Sequence, residues 1–174
     1  MSAPHGRRGS VRQDANGTWS FVVDAKDESG KRRQTRRRGF ATRRIAQAEL
    51  TRVLSSLADN TYVSPQTTTV GDFLVGTWLP AIEHTIKPAT FESYRRNVRL
   101  HMAGRAIGRR RLQDVEPADL NALYSLLLRG DAGHRALSGR SVAYIAAIIH
   151  RAFRDAVRWQ LIVRNPADFA DPPR

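Results

Sequence analysis

Between Thr18 and Ala25 the chain reads Thr-Trp-Ser-Phe-Val-Val-Asp-Ala. Trp19, Phe21 and Val23 fall on one side of an extended strand, and Thr18, Ser20, Val22 and Asp24 on the other. This period-two alternation belongs to a half-buried sheet and excludes a helix. Asn16-Gly17, just before it, is a strong hairpin signal, so a short first strand is expected at Gly9–Gln13. A second turn follows at Asp27-Glu28-Ser29-Gly30. Beyond it, residues 31–44 (KRRQTRRRGFATRR) place eight Lys or Arg in fourteen positions without one acid. A basic tail has no reason to follow a half-buried strand, so this run reads as a third strand from about Arg32 to Arg38. Gly39 marks a candidate bulge, and Phe40 returns to the core. Thr42 is a candidate N-cap, after which Ile45, Leu50, Val53, Leu54 and Leu57 switch to helical periodicity until about Asp59. Residues 1–60 are therefore expected to form a small three-stranded antiparallel sheet plus one helix.

Residues 61–69 are rich in Thr, contain Pro65 and show no periodicity, which reads as a linker. After it the pattern is all-helical through about residue 168, with four helices expected. The first spans about Val70 to His84, with Phe73, Leu74, Trp78, Leu79 and Ile82 apolar. The second starts at Pro88, a favoured first-turn position, and runs to about Met102. The third follows Glu116-Pro117 and carries Leu120, Leu123, Leu126 and Leu127. The fourth runs from near Ser138 to about Gln160 on Val142, Ile145, Ile149, Ala152, Phe153 and Ala156. The end, RNPADFADPPR, reads as a Pro-rich exit, with residues 169–174 a further linker. The fold class is α+β: a sheet-plus-helix module, then an all-α four-helix module.

The 174 residues, 41% of them hydrophobic, are enough for two small cores. A formal charge of +13 and a pI near 11.4 point to a polyanionic partner. Arg outnumbers Lys 26 to 3, and Arg is the better bidentate partner for phosphate and guanine. The absence of Cys excludes disulfides, thiolate metal sites and a Cys nucleophile. No apolar run is long enough for a membrane span, and the N-terminus has no apolar signal segment, so a bacterial cytoplasmic location is expected. His84, His101, His134 and His150 lack ligand spacing, and neither a metal nor any other cofactor is expected.

Several motifs resemble the N-terminal half of a tyrosine recombinase, the phage integrase family. In the first module they are Gly17-Thr18-Trp19, the basic strand, and Arg38-Gly39-Phe40-Ala41-Thr42, similar to an arm-site-binding domain. In the second they are Thr90-Phe91-Glu92-Ser93-Tyr94-Arg95-Arg96, Ile107-Gly108-Arg109-Arg110-Arg111-Leu112, Val115-Glu116-Pro117-Ala118-Asp119-Leu120, and Ala156-Val157-Arg158-Trp159 through Asn165-Pro166-Ala167. These resemble the helical, SAM-like core-binding domain. The resemblance implies binding to attachment-site duplex DNA, arm and core sequences alike, alongside other recombinase protomers. Integration or excision of a phage or mobile element would be the parent activity. The family's catalytic domain follows the core-binding domain, so this chain is not expected to cut DNA itself. Tyr62, Tyr94, Tyr124 and Tyr144 do not hold a nucleophile's position, and His5-Gly6-Arg7-Arg8 is a chance match. Two alternatives are a standalone non-catalytic competitor at attachment sites and an RNA-binding module; the latter is disfavoured by the lack of paired stacking aromatics on the sheet.

Candidate DNA contacts in the first module are Arg7, Arg8 and Arg12 around strand one, and one face of strand three. Arg33, Thr35 and Arg37 share one face; Arg32, Gln34, Arg36 and Arg38 share the other. The first of these faces is the one expected to meet the groove. In the second module the candidates on the second helix are Thr90, Ser93, Arg96 and Asn97. On the fourth helix they are Ser138, Arg140, Ser141, Tyr144 and Arg151, the first three near a helix N-terminus that suits phosphate.

Overall fold

Strands β1 (Gly9–Gln13), β2 (Trp19–Lys26) and β3 (Arg32–Phe40) form one antiparallel sheet in the order β1-β2-β3. The computed structural model describes residues 9–26, 32–58, 62–63, 66–131, 133 and 135–173. The chain divides into two units, residues 1–62 and 63–174. In the first, the Asp14–Gly17 turn closes β1 onto β2 with Val11 opposite Phe21 and Arg12 opposite Ser20. Helix α1 (Arg43–Ala58) covers one sheet face, burying Phe21 and Val23 under Leu50, Val53 and Leu57. Thr42 opens α1 by accepting the Ile45 N–H on its hydroxyl at 3.3 Å. Ile45 does not join the core as its periodicity suggests. It is 47% exposed, because Ala46 takes the inward position that leads to Leu50, Val53 and Leu57.

Gly39 has φ +87°, a left-handed conformation that glycine adopts without strain. The pairing jumps there: Phe21 faces Arg37, but Trp19 faces Phe40. One extra residue sits in β3, a bulge. Phe40 consequently turns inward and stacks on Phe21 at 5.5 Å between ring centroids.

The second unit opens with a reciprocal cap. The Thr69 hydroxyl accepts the Asp72 N–H at 3.1 Å, and the Asp72 carboxylate accepts from Thr69 in return. The expected first helix is not regular. Helix α2 (Val70–Asp72) passes into a π-helical segment (Phe73–Trp78), then α3 (Leu79–Ile82) and a 3-10 turn (Glu83–Thr85). Pro80 supplies the reason: it has no N–H for a helical bond and its ring crowds the preceding turn, so the backbone widens ahead of it. Trp78, Phe73 and Leu74 still bury fully from this segment.

Helix α4 (Pro88–Val98) runs into a π turn (Arg99–Ala103), and α5 (Ala106–Arg109) follows. Gly108 packs so tightly that a Cβ there would lie 2.1 Å from the Ala103 carbonyl oxygen. That approach lets the next residues clasp the start of the unit: Val70 N–H bonds the Arg110 carbonyl at 2.9 Å, and Leu112 N–H bonds that of Thr68 at 3.0 Å. Helix α6 (Pro117–Arg129) is capped by Glu116, and α7 (Gly139–Arg158) by the Ser138 hydroxyl. All six apolar residues expected to face inward on α7 are buried, joined by Ala146, Ile148 and Asp155. Buried Asp155 accepts the Trp78 indole N–H at 2.9 Å and pairs with Arg158 at 3.1 Å, so the carboxylate is satisfied from both sides.

The Pro-rich end is more ordered than its composition suggests. Pro166–Phe169 is a 3-10 turn. Buried Asn165 accepts the Ala167 N–H at 3.0 Å and donates to the His150 carbonyl of α7 at 3.3 Å. His150 and Asp168 meet at 2.8 Å, and the Asp171 N–H reaches Asn121 of α6 at 2.8 Å. Side-chain amides supply this docking, which apolar periodicity does not register.

Candidate nucleic-acid interface

Register decides which side chains of the sheet are free. Residues directly opposite each other in an antiparallel pair share a face. Phe21 pairs with Arg37 and Val23 with Thr35, so Thr35 and Arg37 lie on the face that α1 covers. Arg37 confirms this by bonding Glu49 of α1 at 2.9 Å. Thr35 and Arg37, expected on the groove-facing side, thus lie on the side that α1 covers, and Arg37 is engaged by Glu49. Arg33 pairs with Ala25 in the same register, and its side chain lies outside the described residues, as do Arg7 and Arg8.

The helix-free face carries Ser10 and Arg12 from β1, Ser20, Val22 and Asp24 from β2, and Gln34, Arg36 and Arg38 from β3. Arg12, Gln34 and Arg38 are exposed. Gln34 reaches Asp24 at 3.5 Å. Arg36 donates to the Asp14 carboxylate at 2.6 Å, and the wholly buried Ser20 hydroxyl donates to the same oxygen at 2.9 Å. Desolvation pushes the Asp14 carboxyl up. The Ser20 hydroxyl and the Arg36 and Arg38 charges outweigh it and hold the group below its usual value. The result is a polar, cationic surface in which one arginine is fixed and two are free to reach outward.

In the helical unit, α4 and α7 bring the expected residues together. Ser93 and Tyr144 share a hydrogen bond at 3.1 Å, and Asn97 donates to the Ser93 carbonyl at 2.8 Å. Ser93, Arg96, Asn97 and Ser141 line one open groove of about 470 Å³. Tyr94 stacks on Trp78 at 6.0 Å, meets Tyr144 edge-on at 6.2 Å and supports the Arg151 guanidinium at 5.7 Å from its ring centre. Arg140, Tyr144, Arg151, Arg154 and Arg158 run along the side of α7 away from the core. Arg96, Arg140 and Arg154 have no acidic partner among the described residues. Thr90 sits in the first turn of α4, partly exposed and outside that groove. Ser138 is occupied as the α7 cap, accepting the Ser141 N–H at 3.2 Å.

The sequence alone does not show that Gln34, Arg36 and Arg38 hold the helix-free side; register with Phe21 does, since whatever pairs with a core residue is turned inward. Among the described residues no group of three or more His, Cys, Asp or Glu is placed to hold a metal, and no helix is long and apolar enough to cross a membrane.

Residues 10–57 match the family model of the Arm DNA-binding domain. The solution structure of a phage integrase SAM-like domain from Moorella thermoacetica matches at 30% identity over 65% of this chain and 92% of that one, with a TM-score of 0.48. The sheet unit is thus similar to an arm DNA-binding domain, and the helical unit to a phage integrase SAM-like domain. The crystal structure of a lambda integrase dimer bound to a COC' core site matches at 19% identity over the whole chain, with a TM-score of 0.45. This chain spans 47% of that integrase's length. No curated protein sequence matches.

Proposed function

We propose that this chain is the duplex-gripping portion of a site-specific tyrosine recombinase, recognising attachment sites during integration or excision of a phage or mobile element. The sheet unit (residues 1–60) grips accessory arm sites, and the helical unit (residues 70–168) grips the core site, joined by residues 61–69. The observation that carries this reading is the helix-free sheet face, where Arg12, Gln34, Arg36 and Arg38 stand together on one open β surface of the kind that sheet readers present to a groove. The α4–α7 groove and the arginine stripe of α7 support a second contact surface, with Arg96, Ser141, Arg140 and Arg151 on phosphates. Other recombinase protomers on the same DNA are the expected protein partners.

Strand cleavage is not part of the proposal for residues 1–174. Two of the described tyrosines serve packing: Tyr124 is buried, which pushes its phenol up to about 12, and Tyr94 lies stacked between Trp78 and Arg151. The test is an anisotropy titration with duplex DNA across salt, with RNA as competitor. Each neutralised phosphate adds about −0.9 to the slope of log affinity against log salt. Six or more contacts would lower affinity by roughly 10³ between 50 and 200 mM salt. A flat response, or displacement by RNA at equal concentration, overturns the reading.

A further inference from the structure

The Asp14–Ser20–Arg36 cluster has a role that charge attraction to DNA does not explain. A carboxylate on a DNA-facing surface repels phosphate, and simple affinity would favour its absence. Yet this one is held in place. Asp14 begins the β1–β2 turn, with its N–H on the Thr18 carbonyl at 2.7 Å and its carbonyl accepting from Gly17 at 3.0 Å. From that anchored position it reaches across to β3 and takes Arg36 Nη2 at 2.6 Å, while Arg36 also lies 3.4 Å from the Ser20 hydroxyl. Ser20 is completely buried beneath them.

We propose that Asp14 is a positioning residue that fixes the Arg36 guanidinium for reading a base edge, trading some affinity for discrimination. This rests on the duplex-binding reading given above. An arginine on an open sheet samples many rotamers, and a base-reading hydrogen bond must freeze them. An arginine already oriented by an anchored carboxylate loses less freedom on binding and tolerates fewer base geometries. The Ser20 hydroxyl and the Arg36 charge favour the ionised form of Asp14 that the pair requires.

The experiment selects duplexes from a pool with a randomised central window, using the full chain and three variants. Arg36→Ala identifies the base position that Arg36 reads, by flattening preference there about tenfold. Asp14→Ala and Asp14→Asn each raise net charge by one, but only Asn keeps an acceptor oxygen for Arg36 and Ser20. Asp14→Ala should flatten the same position about threefold or more, while binding random duplex more tightly than the parent. Asp14→Asn should bind random duplex as tightly as Asp14→Ala yet retain more of the preference. Circular dichroism confirms that each variant keeps its sheet. Equal preferences in the two Asp14 variants would mean that charge alone acts, and the proposal is then wrong. It is also wrong if Asp14→Ala leaves the Arg36 position intact. A parent chain that selects no consensus at all removes the duplex-reading premise and this inference with it, an outcome distinct from the other two.

Discussion

The two units place core and proposed contact surface in opposite relations. In the sheet, neighbouring residues alternate between them: Arg36 faces outward, Arg37 bonds the helix and Arg38 faces outward again. A one-residue slip in pairing exchanges the two sets. In α7, the buried stripe and the arginine stripe lie on opposite sides of a 20-residue helix. There Arg140 and Arg154 can change without touching the core, although Arg151 lies on Tyr94 and Arg158 pairs with buried Asp155. On the proposed reading, recognition on the sheet is bound up with folding, whereas recognition by the outermost arginines of α7 is nearly independent of it.

The largest effect expected from this contrast is in the small sheet core. Phe21→Ala removes the side chain around which Phe40 and α1 pack, at a cost of about 3–5 kcal/mol. Thermal melting should then show the sheet unit unfolded while the helical transition stays in place; loss of both together would break the two-unit view. Next comes Gly108→Ala in the helical unit, where backbone meets backbone and nothing flexible can yield. About 3 kcal/mol is expected, read as a lowered melting transition of that unit only. A third pair sharpens the alternation within β3. Arg36→Ala should lose about 1–3 kcal/mol of base discrimination and, through Asp14, about 1 kcal/mol of stability. Arg37→Ala should lower the melting point through Glu49, by about 1 kcal/mol for a partly exposed pair, and leave discrimination alone. If the two exchange behaviours, the register is wrong. The smallest effect is Arg154→Ala on the outer side of α7. Its salt slope should fall by about one, with stability changed by less than about 0.5 kcal/mol.

Acid separates the units in the same spirit. Asp14 titrates below its usual value in the folded sheet, so its contribution is present above the unfolded carboxylate pKa. It is lost as pH falls through the lower folded value. A pH-dependent melt should therefore show the sheet transition of Asp14→Asn less acid-sensitive than the parent's.

Where hydrophobic residues mark a face, the sequence was legible. Phe21 and Val23 in β2 and the six inward residues of α7 lie where their spacing puts them. Strand β3 offers no such mark, because Arg, Gln and Thr alternate with Arg and neither parity is apolar. Its orientation is set from outside, by its register with β2 and by Glu49 on another element. The groove between α4 and α7 was half legible: Ser93, Arg96, Asn97 and Ser141 were each expected, but their meeting depends on tertiary packing. Ile45 failed by one position, since period alone does not fix the phase of a helix. The Asn165 docking failed because amide hydrogen bonds leave no hydropathy trace.

The bulge at Gly39 carries a consequence for how such a strand can vary. Counting in twos from Arg36 would send Phe40 out beside Arg38; the inserted residue makes the count odd and sends it in, onto Phe21. Chain length here behaves as a parity digit. Removing Gly39 alone would leave every side chain chemically intact and yet turn Phe40 toward solvent. Adding a second residue would do the same. Relatives that differ in this stretch should therefore differ by pairs of residues, or by none, wherever an aromatic at that position still closes the core.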